Sequence, residues 1–271
     1  MVLLSISEET VRLVQVTDSH LFETREGNLL SVSTNDSFLA VIEAIAEQGT
    51  NFDAVLATGD ISQDHTEQSY QYFVDNISAL KSPCFWLPGN HDEQSLMHSS
   101  LDQAPIYDHK HVLLGEHWQC ILLDSQVSGV PHGGLNQDQL DFLVHSLDQH
   151  PERHALILLH HHPILVKSEW LDQHTLKNSE SFWSALKGYS NVKAVLCGHV
   201  HQEMDTMHND VRVLSTPSTC IQFKPLSDQF ALDQRSPGWR EIHLHKNGHI
   251  ETSVKRLTDG LYQPDFSSNG Y

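Results

Sequence analysis

The sequence predicts a layered α/β domain that contains two sheets. Buried apolar runs alternate with amphipathic segments through the N-terminal third, a β-α-β-α-β order. Beyond it the pattern changes to a hairpin and a series of short strands separated by turns. No internal repeat, coiled coil, charge block or linker divides the 271 residues, so one domain is expected over 1–271, with its core at about 11–257. A hydrophobic content of 39% supplies enough apolar side chains for that core.

Residues 11–17 (VRLVQVT) read as the first core strand, ending at Asp18-Ser19-His20. A polar, glycine-containing loop follows to about residue 31. Phe38, Val41, Ile42 and Ile45 then recur at i, i+3, i+4 and i+7, the spacing of one helix face. Residues 53–58 (DAVLAT) form a second strand that stops at Gly59-Asp60. Tyr70, Phe73, Val74 and Ile77 mark another helix, and residues 84–87 a third strand. Next come two strands, 111–114 and 117–123, joined by Gly115-Glu116 as a hairpin. A glycine-rich stretch leads to a helix carrying Leu140, Leu143, Val144 and Leu147. Residues 154–159 are a buried strand ending in His160-His161-His162-Pro163. The segment 165–178 reads as a long loop containing Trp170. A short helix near 181–187 precedes the strand 192–197, which ends at Gly198-His199-Val200-His201. Short strands are expected around 203–208, 211–214, 241–245 and 250–254, with a polar tail from 258 wrapping the surface.

The formal charge of −19 argues against a general affinity for nucleic acid or an anionic membrane, whose phosphates would be repelled. A small phosphate ester is still admissible, because a bound cation inverts the local field. Cys84, Cys120, Cys197 and Cys220 form no C-x-x-C pair and read as buried thiols of a reducing compartment. Residues 1–4 are too short for a signal-peptide core and are followed by Glu8-Glu9. No apolar run approaches the roughly 18 residues of a membrane span. A cytoplasmic protein is expected.

Histidine is over-represented, with 21 residues, and its grouping carries the chemistry. Leu87-Pro88-Gly89-Asn90-His91-Asp92 is the central stretch. Pro88-Gly89 breaks the strand and leaves an amide oxygen, an imidazole and a carboxylate on a tight loop. Similar donors follow the other core strands: Asp18 and His20, Asp60, His161 within its triplet, then His199 and His201. Sites in α/β sheets form outside the carboxyl ends of strands. Mixed imidazole and oxygen donors suit divalent Mn, Fe, Co or Zn. There are more donors here than one tetrahedral ion needs, so two ions are expected, with Asp60 able to bridge them.

The ordered set Asp18-x-His20, Gly59-Asp60, Gly89-Asn90-His91-Asp92, His161-x-Pro163 and Gly198-His199-x-His201 resembles the calcineurin-like metallophosphoesterases. Within them the chain is similar to the class III cyclic nucleotide phosphodiesterases. That closer match is carried by Ser168-Glu169-Trp170-Leu171-Asp172-Gln173-His174, by 197–202 and by 216–225. The resemblance implies a four-layer α/β/β/α sandwich with a two-metal site on the strand-end loops. It implies one ion on Asp18, His20, Asp60 and His201, and another on Asp60, Asn90, His161 and His199. Among the consecutive histidines, the resemblance selects His161 because the ligand stands two residues before a proline. The phosphate would meet His20, Asp60, Asn90, His91 and His201.

The implied reaction is hydrolysis of 3′,5′-cyclic AMP to 5′-AMP by a hydroxide held between the ions, lowering intracellular cyclic AMP. His91 would protonate the leaving 3′ oxygen, with Asp92 fixing its tautomer. A broader phosphodiesterase or phosphomonoesterase would use the same site. A nuclease is disfavoured, because no basic groove is evident. A metal-binding scaffold without catalysis would lack a ligand or His91, and neither is missing.

Overall fold

The computed structural model describes residues 1–6, 9–268 and 270. In chain order, β1 (Val2–Leu4) and β2 (Thr10–Val16) lead into a small ribbon, β3 (Asn28–Leu29) and β4 (Val32–Ser33). Then follow α1 (Thr34–Glu47), β5 (Ala54–Ala57), α2 (Glu67–Ile77), β6 (Cys84–Trp86), α3 (Gln94–Leu101) and β7 (Ile106–Tyr107). The second half runs β8 (His111–Leu114), β9 (Trp118–Leu122), α4 (Gln137–Gln149), β10 (His154–Leu158), α5 (Glu169–Asp172), α6 (Ser179–Ala185) and β11 (Val192–Cys197). The chain closes with β12 (Met204–His208), β13 (Val211–Ser215), β14 (Gly238–His245) and β15 (Ile250–Arg256).

These strands build a six-stranded sheet, β15-β14-β2-β5-β6-β7, and a seven-stranded sheet, β1-β8-β9-β10-β11-β13-β12. Both are mixed. β2, β5, β6 and β7 are parallel, with β14 antiparallel to β2. β9, β10, β11 and β13 are parallel, and β8 and β9 form the expected antiparallel hairpin.

Period-two alternation explains why the sheets stack. In β10, Leu156 and Leu158 face the other sheet, joining Leu13, Leu56, Phe85, Leu196 and Ile242. Ala155 and Ile157 point the other way, onto Leu143 and Leu147 of α4 and Phe182 of α6. In β2, Leu13 lies between the sheets, whereas Val14 and Val16 pack under Phe38, Ile42 and Tyr70 of α1 and α2. Strands buried on both faces must be apolar at nearly every position. The result is the four-layer arrangement, helix, sheet, sheet, helix. Ser33 and Thr66 accept from Asp36 and Ser69 backbone N–H groups and cap α1 and α2.

A polar bridge crosses the inter-sheet core. Gln15 Nε2 donates to Thr58 Oγ1 (2.7 Å) and to the Cys197 carbonyl (3.2 Å), and Thr216 Oγ1 donates to Gln15 Oε1. Buried Arg240 donates to Thr216 Oγ1 (3.1 Å) and to the Ser215 carbonyl (2.8 Å).

The elements differ from expectation where the periodic signal is weak. α3 lies where no helix was expected, because only Met97, Ser100 and Leu101 are buried on it. β1 and β7 are short edge strands, and 165–178 contains the single turn α5. The loop before residue 31 carries the β3–β4 ribbon, whose turn holds Leu30 and Ser31 at φ 49° and 75°. All four cysteines are buried and free. No helix among the described residues is long and apolar enough to cross a membrane.

Candidate functional site

The carboxyl ends of β2, β5, β6, β10 and β11 meet at one edge of the sandwich. Asp18, Asp60 and Asn90 come from the six-stranded sheet, and His160, His199 and His201 from the seven-stranded one. The turns that deliver these groups are strained. Asp18 (φ 55°), His20 (47°), Asp60 (49°), His199 (66°) and His201 (47°) all adopt left-handed backbone. Such residues cost about 1–3 kcal/mol each and persist only where their surroundings hold them. Here they are held by hydrogen bonds between turns: Asp18 N–H to Gly59 O (3.0 Å), His20 N–H to Asp60 O (2.9 Å) and Gly198 N–H to His160 O (3.1 Å).

The hydrogen bonds of the imidazoles set their tautomers. His201 Nδ1 lies 2.9 Å from the Ile221 carbonyl and His160 Nδ1 lies 2.8 Å from the Thr58 carbonyl. A carbonyl only accepts, so both Nδ1 atoms carry hydrogen, and each ring when neutral presents a bare Nε2 to the site. His20 Nδ1 likewise meets Gln63 Oε1 at 2.6 Å.

The bare nitrogens converge. His20 Nε2 and His201 Nε2 stand 3.2 Å apart, with Asp18 Oδ1 3.4 Å from the latter. His160 Nε2 is 3.2 Å from Asn90 Oδ1 and 3.2 Å from Asp60 Oδ2. His199 Nε2 is buried and meets no hydrogen-bond partner among the described residues. Lone pairs facing lone pairs repel unless a positive charge lies between them, so the donor set fits a cation in each cluster. Asp60 belongs to both, at 3.9 Å from His20 Nε2.

The electrostatics agree. Burial alone would depress His160, yet the charges of Asp60 and Asp18 outweigh it and hold the imidazole at about 9. Without an ion a proton on Nε2 supplies the positive charge that Asp60 and Asp18 favour at that point, and a bound cation would take the place of that proton. Burial pushes His20 down to about 3 and His199 well below its usual range, so both are bare bases. Burial would raise Asp60, but His160 and His91 hold it well below the usual carboxylate range.

Two side chains meet other partners than expected, although His161 still groups with His160 and His199 as a possible ligand. His160, not His161, is the triplet member that meets Asp60 and Asn90. His161 Nδ1 instead lies 2.8 Å from Ser125 Oγ, although its ring is 4.8 Å from that of His199. Strand parity is the reason: Leu156 and Leu158 face the other sheet, and His160 continues that row, whereas Ile157 and Leu159 pack on the outer face. Asp92 was expected to orient His91. Its oxygens instead accept from Gly89 N–H (2.9 Å), Ile61 N–H (3.0 Å), Ser62 N–H (3.1 Å) and Tyr70 Oη (3.2 Å), which ties the Asn90 loop to the turn after β5. Burial and the charge of Asp60 raise Asp92 to about 7.

His91 stands where expected, half-buried at the mouth. Its N–H donates to Asp60 Oδ1 (2.8 Å), and its ring is 5.0 Å from that of His20. It opens on a cleft of about 940 Å³. One wall of the cleft is polar, with Gln94, Asp124 and Gln126; the other carries Trp170, Phe223 and Phe230. The orienting acceptors Thr58 O, Ile221 O and Gln63 were missed, because main-chain carbonyls and a lone glutamine leave no sequence signal.

Gly89 has no room for a side chain: a Cβ there would overlap the Asp60 carboxylate and the Asp60 backbone nitrogen. Gly89→Ala is expected to displace Asp60 and lower turnover about a hundredfold, the effect of a misplacement near 1 Å. Near-normal kcat and metal content in that variant would show that the loop yields.

A family model, calcineurin-like phosphoesterase, matches residues 11–203. The chain belongs to that family. It is 56% identical over 267 residues to the 3′,5′-cyclic adenosine monophosphate phosphodiesterase CpdA of Vibrio vulnificus (strain CMCP6), covering 98% of this chain and 97% of that one. It is 49% identical over 264 residues to the protein of the same name from Escherichia coli (strain K12), covering 97% and 96%. Among solved structures, a dimetal phosphatase from Danio rerio shares the fold, with a TM-score of 0.61 at 15% identity over 92% of this chain and 99% of that one.

Proposed function

We propose that this chain hydrolyses 3′,5′-cyclic AMP to 5′-AMP at a pair of metal ions. The observation that carries the reading is the set of bare, buried imidazole nitrogens gathered around Asp60 beneath an open cleft. The activity named for relatives that align with almost the whole chain supplies the substrate. Asp18, His20, Asp60 and His201 would hold one ion; Asp60, Asn90, His160 and His199 would hold the other. The mixture of imidazole, carboxylate and amide oxygen suits Fe or Mn, with Co or Zn also compatible. Bound there, the ions would supply Lewis acidity toward the phosphate oxygens and a water acidic enough to attack phosphorus.

The remaining tasks fall to the chain itself. His20, Asp60, Asn90, His91 and His201 border the place where the phosphate would lie. Thr58 O and Ile221 O keep the imidazoles of His160 and His201 in the tautomer that presents Nε2. As the bond from phosphorus to the 3′ oxygen breaks, His91 donates a proton to that oxygen, since a sugar alkoxide is a poor leaving group. Asp92 keeps the His91 loop in place through the Gly89, Ile61 and Ser62 amides.

Elemental analysis of active protein is expected to find about two transition-metal ions per chain. Exhaustive chelation should abolish cyclic AMP hydrolysis, and added Fe or Mn should restore it. Full activity in metal-free protein would refute the reading.

A further inference from the structure

The aromatic wall of the cleft has no part in the metal clusters, yet it is built against one of them. Phe223 stacks on the His201 ring, with centroids 4.3 Å apart and planes 14° apart. Trp170 meets Phe223 edge to face at 4.9 Å and Phe230 at 5.1 Å. The indole N–H of Trp170 is buried and finds no acceptor among the described residues, although buried indoles usually have one. Trp170 and Phe230 remain only partly buried, on the same cleft as Asn90, His91 and His199. An aromatic surface of rings set edge to face thus shares the cleft with the phosphate position. A cyclic nucleotide carries its base a few ångströms from its phosphate, on the far side of a rigid bicyclic sugar.

We propose that Trp170 and Phe230, backed by Phe223, form the platform on which the substrate's base stacks. The inference rests on the cyclic nucleotide reading above and names the residues that favour a base-bearing ester. Stacking exploits the π-face that every base has, so the platform selects for a base over none and favours the larger purine surface.

The test compares cyclic AMP with the methyl riboside 3′,5′-cyclic phosphate, the same cyclic ester without the base. Metal-loaded wild-type enzyme is expected to prefer cyclic AMP in kcat/KM by about 5- to 150-fold, the usual worth of one stacked base. In Trp170→Ala the preference should fall towards one, chiefly through KM, and Trp170→Phe should keep most of it. Because the readout is a ratio on one sample, a partly unfolded variant lowers both rates and leaves it unmoved. An unchanged ratio in Trp170→Ala overturns the platform, as does a phenylalanine variant no better than alanine. If wild-type enzyme cleaves bis-p-nitrophenyl phosphate but neither cyclic ester, the cyclic nucleotide reading fails and the platform falls with it. Cleavage of both cyclic esters at equal efficiency removes the platform alone.

Discussion

His160→Ala is expected to lose metal and activity together, by more than about a hundredfold in turnover at fixed metal concentration. The bound is set by comparison: even partners that only orient a ligand are worth about 10- to 100-fold in metal affinity, and His160 faces the site directly. Its Nε2 sits 3.2 Å from both Asp60 and Asn90, and its Nδ1–H is fixed on Thr58 O. Alanine would leave Asp60 and Asn90 with no imidazole between them. His161→Ala should do less, because its ring groups with His160 and His199 but not with Asp60, the carboxylate common to both clusters. His162→Ala should also do less, as its nearest acidic contact is Asp172 at 3.6 Å. Metal content and kcat measured on all three variants decide the register. A His161 variant that loses more metal than the His160 variant would restore the assignment based on the proline.

His91→Ala is expected to keep its metal and lower cyclic AMP turnover by about 10²–10⁴-fold, the usual worth of a general acid. The hydrogen bond from residue 91 to Asp60 comes from the backbone N–H, which alanine retains. The Asp60 carboxylate should therefore stay in place. With bis-p-nitrophenyl phosphate the loss should be smaller, since p-nitrophenolate leaves without a proton. Equal losses on both substrates would make His91 a group that orients or charges the phosphate. Loss of metal would make it a ligand or a support for one.

Most of the layered fold was legible, because strands buried on both faces announce themselves as short apolar runs. Residues 154–159 and 192–197 are of this kind, and β10 and β11 lie within them. Asp18, His20, Asp60, Asn90, His199 and His201 were legible for a related reason: each stands just past such a run, and parallel strands carry their ends to one edge. What escaped depends on direction or on distant main chain. Counting back from Pro163 pointed to His161, whereas the alternation Leu156, Leu158, His160 was already present and pointed His160 to the face shared with the other sheet. Asp92 is held by amides of Ile61 and Ser62, some thirty positions earlier, and amides have no sequence signature. The left-handed turns at Asp18, His20, Asp60, His199 and His201 were equally hidden, because aspartate and histidine, although enriched at positive φ, adopt it in only a small share of their positions.

The division of the site between the two sheets has a thermodynamic consequence. Asp18, Asp60 and Asn90 belong to one sheet, His160, His199 and His201 to the other. An ion shared by both groups is a cross-link between the layers, seated where the turns are most strained. Binding that exists only when the layers are joined adds its free energy to folding, about 2.7 kcal/mol at a free concentration 100 times Kd. The melting temperature should therefore climb with added metal, and an unchanged midpoint would contradict the cross-link. Metal supply would then set how long the protein survives as well as how fast it turns over.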